Sequence, residues 1–150
     1  MAGWLLDTNI LLRRVDRKSA EHSLASQSVA SLLARSEDCY LTAQVVLEFW
    51  VLATRPVQVN GLGWSVEQAR AEVDLLLDQF PLLEEQPTVF GNWLSLVAAQ
   101  PISGKRAYDA RIVAVMQAHG FTNLLTLNTD DFIFASGVKA VHPRDVTLGV

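Results

Sequence analysis

One cysteine, Cys39, stands in 150 residues. No disulfide can form within the chain and no cysteine-built zinc site is possible, so a reducing compartment fits. Histidine is nearly as scarce. His22, His119 and His142 share no metal-ligand spacing and read as surface or helix-end residues. No apolar run approaches the roughly 18 residues of a membrane span. The longest, Val45 to Ala53, is interrupted by Glu48. The N-terminus has neither a basic n-region nor a long apolar h-region, so no signal peptide is expected and the cytoplasm is the expected location. Positive charge is also short. With 12 Lys and Arg against 16 Asp and Glu, the net charge is −4. Nucleic-acid binding through overall charge is excluded, and any such contact must use a local basic patch. An excess of acid can also mean a cluster of carboxylates awaiting a cation. There is no repeat, linker or break in composition, so residues 1–150 read as a single domain large enough to bury a core.

Against these absences, the first apolar run stands out for the polar residues at its end. Gly3 to Leu6 reads as a short buried strand, and it runs straight into Asp7, Thr8 and Asn9. Three small polar groups at a strand's carboxyl end suit a site better than a core. Ile10 to Val15 suggests a helical turn, followed by the cations Arg13, Arg14, Arg17 and Lys18. Such a run is usually a solvated loop. Its other reading is a phosphate-contacting edge beside Asp7.

Short apolar segments then alternate with helical periodicity. Ser19 caps a predicted helix to about Arg35, and Cys39 to Leu41 is the next predicted strand. Thr42 is a good N-cap for a helix from Ala43 to Thr54, apolar nearly all round and therefore expected to be buried on most sides. Glu48 sits in its middle. Taken alone it reads as a carboxylate on one solvated stripe with Gln44 and Arg55. Ser65 and Gln68 form a capping-box pattern opening a helix to about Phe80, with Val66, Ala69, Val73, Leu76, Leu77 and Phe80 as its core face. Trp64 suggests a hydrophobic staple before it. Leu82 to Glu84 is a short predicted strand. Thr88 caps a helix to about Gln100, with Phe90, Trp93, Leu94 and Val97 expected inward. These aromatics read as core, because a base-stacking platform needs exposure. A helix from Ala107 ends at His119 and Gly120, with Asp109 in its first turn, where the helix dipole alone would favour an acid. Asn123 to Leu127 and Lys139 to His142 are the last predicted strands, the second stopped by Pro143. The alternation predicts an α/β fold with a parallel sheet and helices on both faces. Its ligand site belongs at the carboxyl ends of the strands, near a topological switch point.

The ordered motifs resemble those of the PIN-domain nucleases, and within them the VapC-type toxins of bacterial toxin–antitoxin pairs. The carriers are Asp7-Thr8-Asn9-Ile10-Leu11 after the first strand and Glu48 in the helix after the second. Gly104 and Tyr108 precede the pair Asp109-Ala110, and Thr126-Leu127-Asn128 precedes Asp131-Phe132. The resemblance spans nearly the whole chain. It implies a three-layer α/β/α sandwich on a parallel sheet of about five strands, with Asp7, Glu48, Asp109 and Asn128 as the catalytic set. It further implies a Mg²⁺- or Mn²⁺-dependent endoribonuclease, a cognate antitoxin and a homodimer. Many relatives carry a fourth carboxylate where Asn128 stands. Asp130 or Asp131 could compensate, and otherwise the pocket has a neutral fourth corner.

The chemistry agrees with the resemblance. Carboxylates sharing one pocket raise each other's pKa, and a hard divalent cation removes that cost. The cation also lets an acidic pocket accept a polyanion. Asp7 and Asp109 are expected as direct metal ligands, with Glu48 acting through water or orienting the attacking water. Asn128 would contact metal-bound water or substrate. Thr8, Asn9, Thr126 and Asp131 would hold these groups in place. Arg13, Arg14, Lys105 and Arg106 are candidate phosphate contacts. Two rivals remain: a PIN-like protein that binds RNA or a partner without cutting, and a receiver-like domain phosphorylated on an Asp. The second fits poorly, because its paired acids and late Lys are not placed here.

Overall fold

The computed structural model describes residues 3–147, and among them lie four strands and seven α-helices. The strands are β1 (Gly3–Leu6), β2 (Asp38–Tyr40), β3 (Asn123–Leu125) and β4 (Lys139–Val141). All pair in parallel in the order β2-β1-β3-β4. The helices flanking them are α1 (Thr8–Val15), α2 (His22–Ala34), α3 (Ala43–Thr54), α4 (Val66–Gln79), α5 (Val89–Ala99), α6 (Arg106–His119) and α7 (Pro143–Thr147). The sheet has four strands where about five were expected. Leu82 makes only an isolated parallel bridge to Leu41, because Pro81 and the loop after Leu83 leave no room for a ladder.

β1 is central and buried. Leu5 and Leu6 are fully enclosed, together with Leu124 and Leu125 of β3. Chain direction across the sheet reverses at this pair of strands. The segment leaving β1 returns as β2 on one side, and the next long excursion returns as β3 on the other. The loops after β1 and β3 therefore diverge and open a crevice between them.

Local chemistry sets the helix ends. The Thr42 hydroxyl accepts from the Val45 N–H at 3.2 Å, and α3 begins where predicted. Ser65 and Gln68 make both bonds of the capping box. Gly120 ends α6 at φ 71°, a left-handed value that glycine adopts without strain. α2 starts two residues after its predicted start, because the Ser19 hydroxyl caps a turn at Glu21 instead. Thr88 precedes α5 without a side-chain cap bond. Pro143, read as a stop, opens α7. Proline suits the first turn of a helix, where no N–H partner is needed. α7 packs on α2, and the Arg35 guanidinium donates to the Val146 carbonyl at 2.7 Å.

Three predicted core faces differ from the structure. On α4, Ala69 and Leu76 are buried, as is Phe80 just past its end, while Val66 and Leu77 are exposed. On α5, Phe90 and Leu94 are exposed. On α3, Leu47 and Val51 are exposed while Gln44 is buried. Trp64 packs edge-on against Phe49, with ring centroids 6.1 Å apart.

Candidate functional site

The crevice at the carboxyl ends of β1 and β3 is an open cleft. It is lined by the acids Asp7, Glu48, Asp109 and Asp131, together with Asn128. Each comes from a different local cause. Asp7 is the first residue past β1, and its backbone N–H donates to the Leu125 carbonyl at 3.0 Å, continuing the β1–β3 ladder. The same residue caps α1, its Oδ1 accepting from the Thr8 N–H at 2.8 Å. Glu48 projects from the middle of α3. Asp109 lies in the first turn of α6. Asp131 lies in a 3-10 turn, Thr129–Phe132, just after β3.

Hydrogen bonds fix Asp7 on both oxygens. Its Oδ2 accepts from the Thr126 hydroxyl at 2.7 Å and from Asn9 Nδ2 at 3.4 Å. The direction of the Thr126 bond is determined. That oxygen already accepts from Asn9 Nδ2 and from the Asn128 N–H, so its one proton goes to Asp7. Asn9 Oδ1 in turn accepts from the Leu127 N–H at 3.0 Å, tying α1 to the loop after β3. The Thr8 hydroxyl lies 3.2 Å from both the Val45 carbonyl and Glu48 Oε2, and so steadies the acid of α3. Thr8, Asn9 and Thr126 thus sit in the supporting positions expected of them. Asp109 accepts no side-chain hydrogen bond among the described residues.

The acids act on one another. Asp7 is only 7% exposed, and burial first of all pushes its pKa up to about 6. The Thr126 and Thr8 bonds oppose that rise, and the charges of Glu48 and Asp131 add to it. Asp109 is pushed up to about 7, by burial and then by Asp7, Asp131 and Glu48, with Arg106 opposing. Each charge raises the other, so the two carboxyls lose their protons as a coupled pair. Asp131 has turned into the cleft and bonds Arg106 at 3.3 Å. It therefore does more than shape the turn, and the carboxylate missing at Asn128 has a neighbour three residues on. Asp130 does not line the cleft.

The cluster offers oxygen donors alone, which suits a hard cation. Among the described residues, no three His, Cys, Asp or Glu side chains stand close enough to form a ready-made cage. That geometry is unsuited to a dehydrated structural ion. It is compatible with Mg²⁺, which needs one or two direct carboxylates and keeps several waters.

The candidate cations divide. Arg13 and Lys105 line the cleft, although Arg13 also bonds Asp16 at 3.0 Å. Arg106 stands beside it through Asp131. Arg14 is a correction: it lies over the Phe80 ring at 5.3 Å and donates to Gln79, away from the cleft. Adjacent helical residues point about 100° apart, and Arg14 is the one turned toward the end of α4.

Gln44, Arg55, Tyr108 and Arg111 also line the cleft, and of these only Tyr108 stands in one of the sequence motifs, without a role in the site. Gln44 and Arg55 did carry a signal, since with Glu48 they fall on one helical stripe. That stripe faces the cleft and not open solvent. Gln44 is buried, donating to the Tyr108 carbonyl at 2.9 Å. Gly61 lets its loop close on the end of α3, since a Cβ there would stand 1.9 Å from the Arg55 carbonyl oxygen.

Known proteins resemble this chain in sequence and in fold. The family model of the PIN domain matches residues 4–136. Ribonuclease VapC24 of Mycobacterium tuberculosis is 28% identical over 128 residues, covering 85% of this chain and 87% of the relative. VapBC2 from Rickettsia felis, solved bound to a DNA fragment from its promoter, superposes with a TM-score of 0.68. It is 17% identical and covers 93% of this chain and 97% of that one. Mycobacterium tuberculosis VapC20, described as a sarcin-ricin loop cleaving toxin, gives 0.61 at 20% identity, over 81% of this chain and 87% of that one. The two structural likenesses speak for the fold. The family match takes in β2, β3 and every acid of the cleft, and the chain belongs to the PIN-domain family.

Proposed function

We propose that this protein is a metal-dependent endoribonuclease, the toxin of a toxin–antitoxin pair, inhibited by a cognate antitoxin protein. The observation that carries the reading is the gathering of Asp7, Glu48, Asp109 and Asp131 in one cleft, where burial and then neighbouring acid charge raise the Asp7 and Asp109 carboxyls, with Arg106 opposing at Asp109. A fold keeps such a cluster at a cost in stability, and a cation that binds there relieves it. The likeness to a named ribonuclease and to toxin–antitoxin structures supports the choice of RNA and of an antitoxin partner.

Asp7 and Asp109 would hold Mg²⁺ or Mn²⁺ directly, with Glu48 reaching it through water. Once bound, the ion supplies charge neutralisation at the phosphodiester and a more acidic water. The chain's own residues do the rest. Thr126 and Asn9 hold Asp7 in one orientation, and Thr8 aims Glu48. In this reading Glu48 would orient the attacking water. Asn128, exposed at the rim, offers an uncharged amide to the substrate backbone, and Lys105, Arg13 and Arg55 offer charge to its phosphates. A homodimer and a cytoplasmic location accompany this reading.

The test is cleavage of single-stranded RNA by the purified protein with Mg²⁺ or Mn²⁺, using Asp7→Asn and Asp109→Asn as controls. Metal-dependent cleavage lost by about 100-fold or more in both variants is the expected result, the size typical of removing an essential charged group from a site. Cleavage that persists in both variants, or that ignores EDTA, would overturn the assignment.

A further inference from the structure

A second recess of about 350 Å³ adjoins the acidic cleft, between the loop before α5 and the first turns of α5 and α6. Glu85 and Arg111 line both hollows, so the two are continuous. We propose that this recess is a nucleobase subsite, holding one unpaired base of the RNA strand whose phosphate occupies the acidic cleft. The proposal rests on the ribonuclease reading for the strand's path, but its own support is local.

First, the recess has an aromatic wall in which Trp93 packs against the core and Phe90 is left to solvent. Phe90 is 68% exposed, and its ring lies 5.8 Å from that of Trp93, tilted by 35°. The wall is anchored to the site. Trp93 Nε1 donates to the Ala107 carbonyl at 2.8 Å, two residues before Asp109. Second, the polar side of the recess is fixed and balanced. The Arg111 guanidinium donates to Glu85 at 3.1 Å and to Gln44 at 3.3 Å, which holds its plane still. A guanidinium already paired with a carboxylate does not select a phosphate. Together with the amide of Gln86, it presents donors and acceptors to a flat, uncharged, hydrogen-bonding ligand. A base between an aromatic face and such an edge matches the way proteins hold unpaired RNA. Third, the neighbouring hollow is acidic and has, among the described residues, only Arg13, Arg55 and Lys105 as cations outside the Arg111–Glu85 pair, so charge alone is a weak hold on the strand.

Binding is measured by fluorescence anisotropy with a labelled ten-nucleotide single-stranded RNA, in Ca²⁺. The comparison probe is the same sugar-phosphate chain with every base removed. Phe90 is exposed, so Phe90→Ala leaves the fold intact, which a melting curve checks. Phe90→Ala should weaken binding of the RNA by roughly 5- to 100-fold, the range for one stacked base. Phe90→Tyr should restore it, and the base-free chain should be indifferent to both substitutions. Equal losses on both probes, or no loss on either, would overturn the subsite. So would an unchanged RNA affinity accompanied by a change in oligomeric mass, which would make the wall a protein contact. The expected binding pattern without any cleavage in Mg²⁺ or Mn²⁺ keeps the subsite and sinks the ribonuclease reading. Cleavage with binding indifferent to Phe90 does the reverse.

Discussion

Thr126 is the residue on which Asp7 depends most directly. It is fully buried, accepts two N–H groups and spends its only proton on the acid. Thr126→Val keeps the shape and removes all three bonds. A cost of about 1–3 kcal/mol is expected from the donors left unpaired, read by urea unfolding, with Thr126→Ser recovering most of it. The acids themselves set a pH dependence. Asp7 and Asp109, at about 6 and about 7, both lie above their ordinary value of 3.8. The folded protein therefore holds protons more tightly than the unfolded chain. That contribution is complete below pH 3.8 and is lost as the pH rises through 6 and 7. His142, lowered by burial and by Arg144, acts in the opposite sense. The readout is therefore the difference between wild type and Asp109→Asn without metal. The variant should lose less stability between pH 5 and 8 and melt higher near neutrality, by roughly 2–4 °C for each 1 kcal/mol relieved. Saturating Mg²⁺ should erase the difference, and a variant with the steeper fall would contradict the mutual repulsion.

At the scale of elements, Gly120 isolates one effect. A Cβ there meets nothing within 4 Å, so Gly120→Ala costs only the left-handed φ of 71°. About 1 kcal/mol is expected, seen as an equivalent loss in thermal or urea unfolding. Helix ends of this kind were the legible part of the sequence. The hydroxyl of Thr42, the Ser65–Gln68 box and Gly120 act within one turn of themselves, so neighbouring letters suffice to read them. Helix faces were less legible. On α3 and α5 apolar residues run nearly all the way round, and periodicity cannot then say which side meets the core. Leu47, Val51 and Phe90 came out exposed for that reason. The site divides in the same way. Asp7 stood out alone at a strand end, whereas Glu48, Asp109 and Asn128 were readable only through the ordered motifs that resemble the PIN-domain nucleases, and the structure brings all four to one cleft. Arg111, and the inward turn of Asp131, depend on partners 26 and 25 residues away, and no local spacing encodes them.

For the whole molecule, charge is the feature that matters. At −4 overall it offers nucleic acid no general attraction. Arg13, Arg55 and Lys105 are the cleft cations outside the Arg111–Glu85 pair. Three phosphate contacts on a single strand give a slope of log K against log salt of about −2 at most. A titration of RNA affinity against KCl should return a slope no steeper than that, alongside a strong requirement for divalent ions. A slope of about −5, as several more phosphate contacts would give, would mean a basic surface elsewhere.

The distance in sequence between Asp7 and its partner has a consequence for the making of the protein. Thr126, which orients Asp7, lies 119 residues further on, and β1 has no β3 beside it until that stretch exists. A ribosome releasing this chain presents Asp7 first among these cleft acids and Asp131 last of them. No truncated product and no nascent chain short of that point contains the cleft. If the protein cuts RNA, a growing chain therefore cannot do so before Asp131 has left the ribosome and β3 has paired with β1.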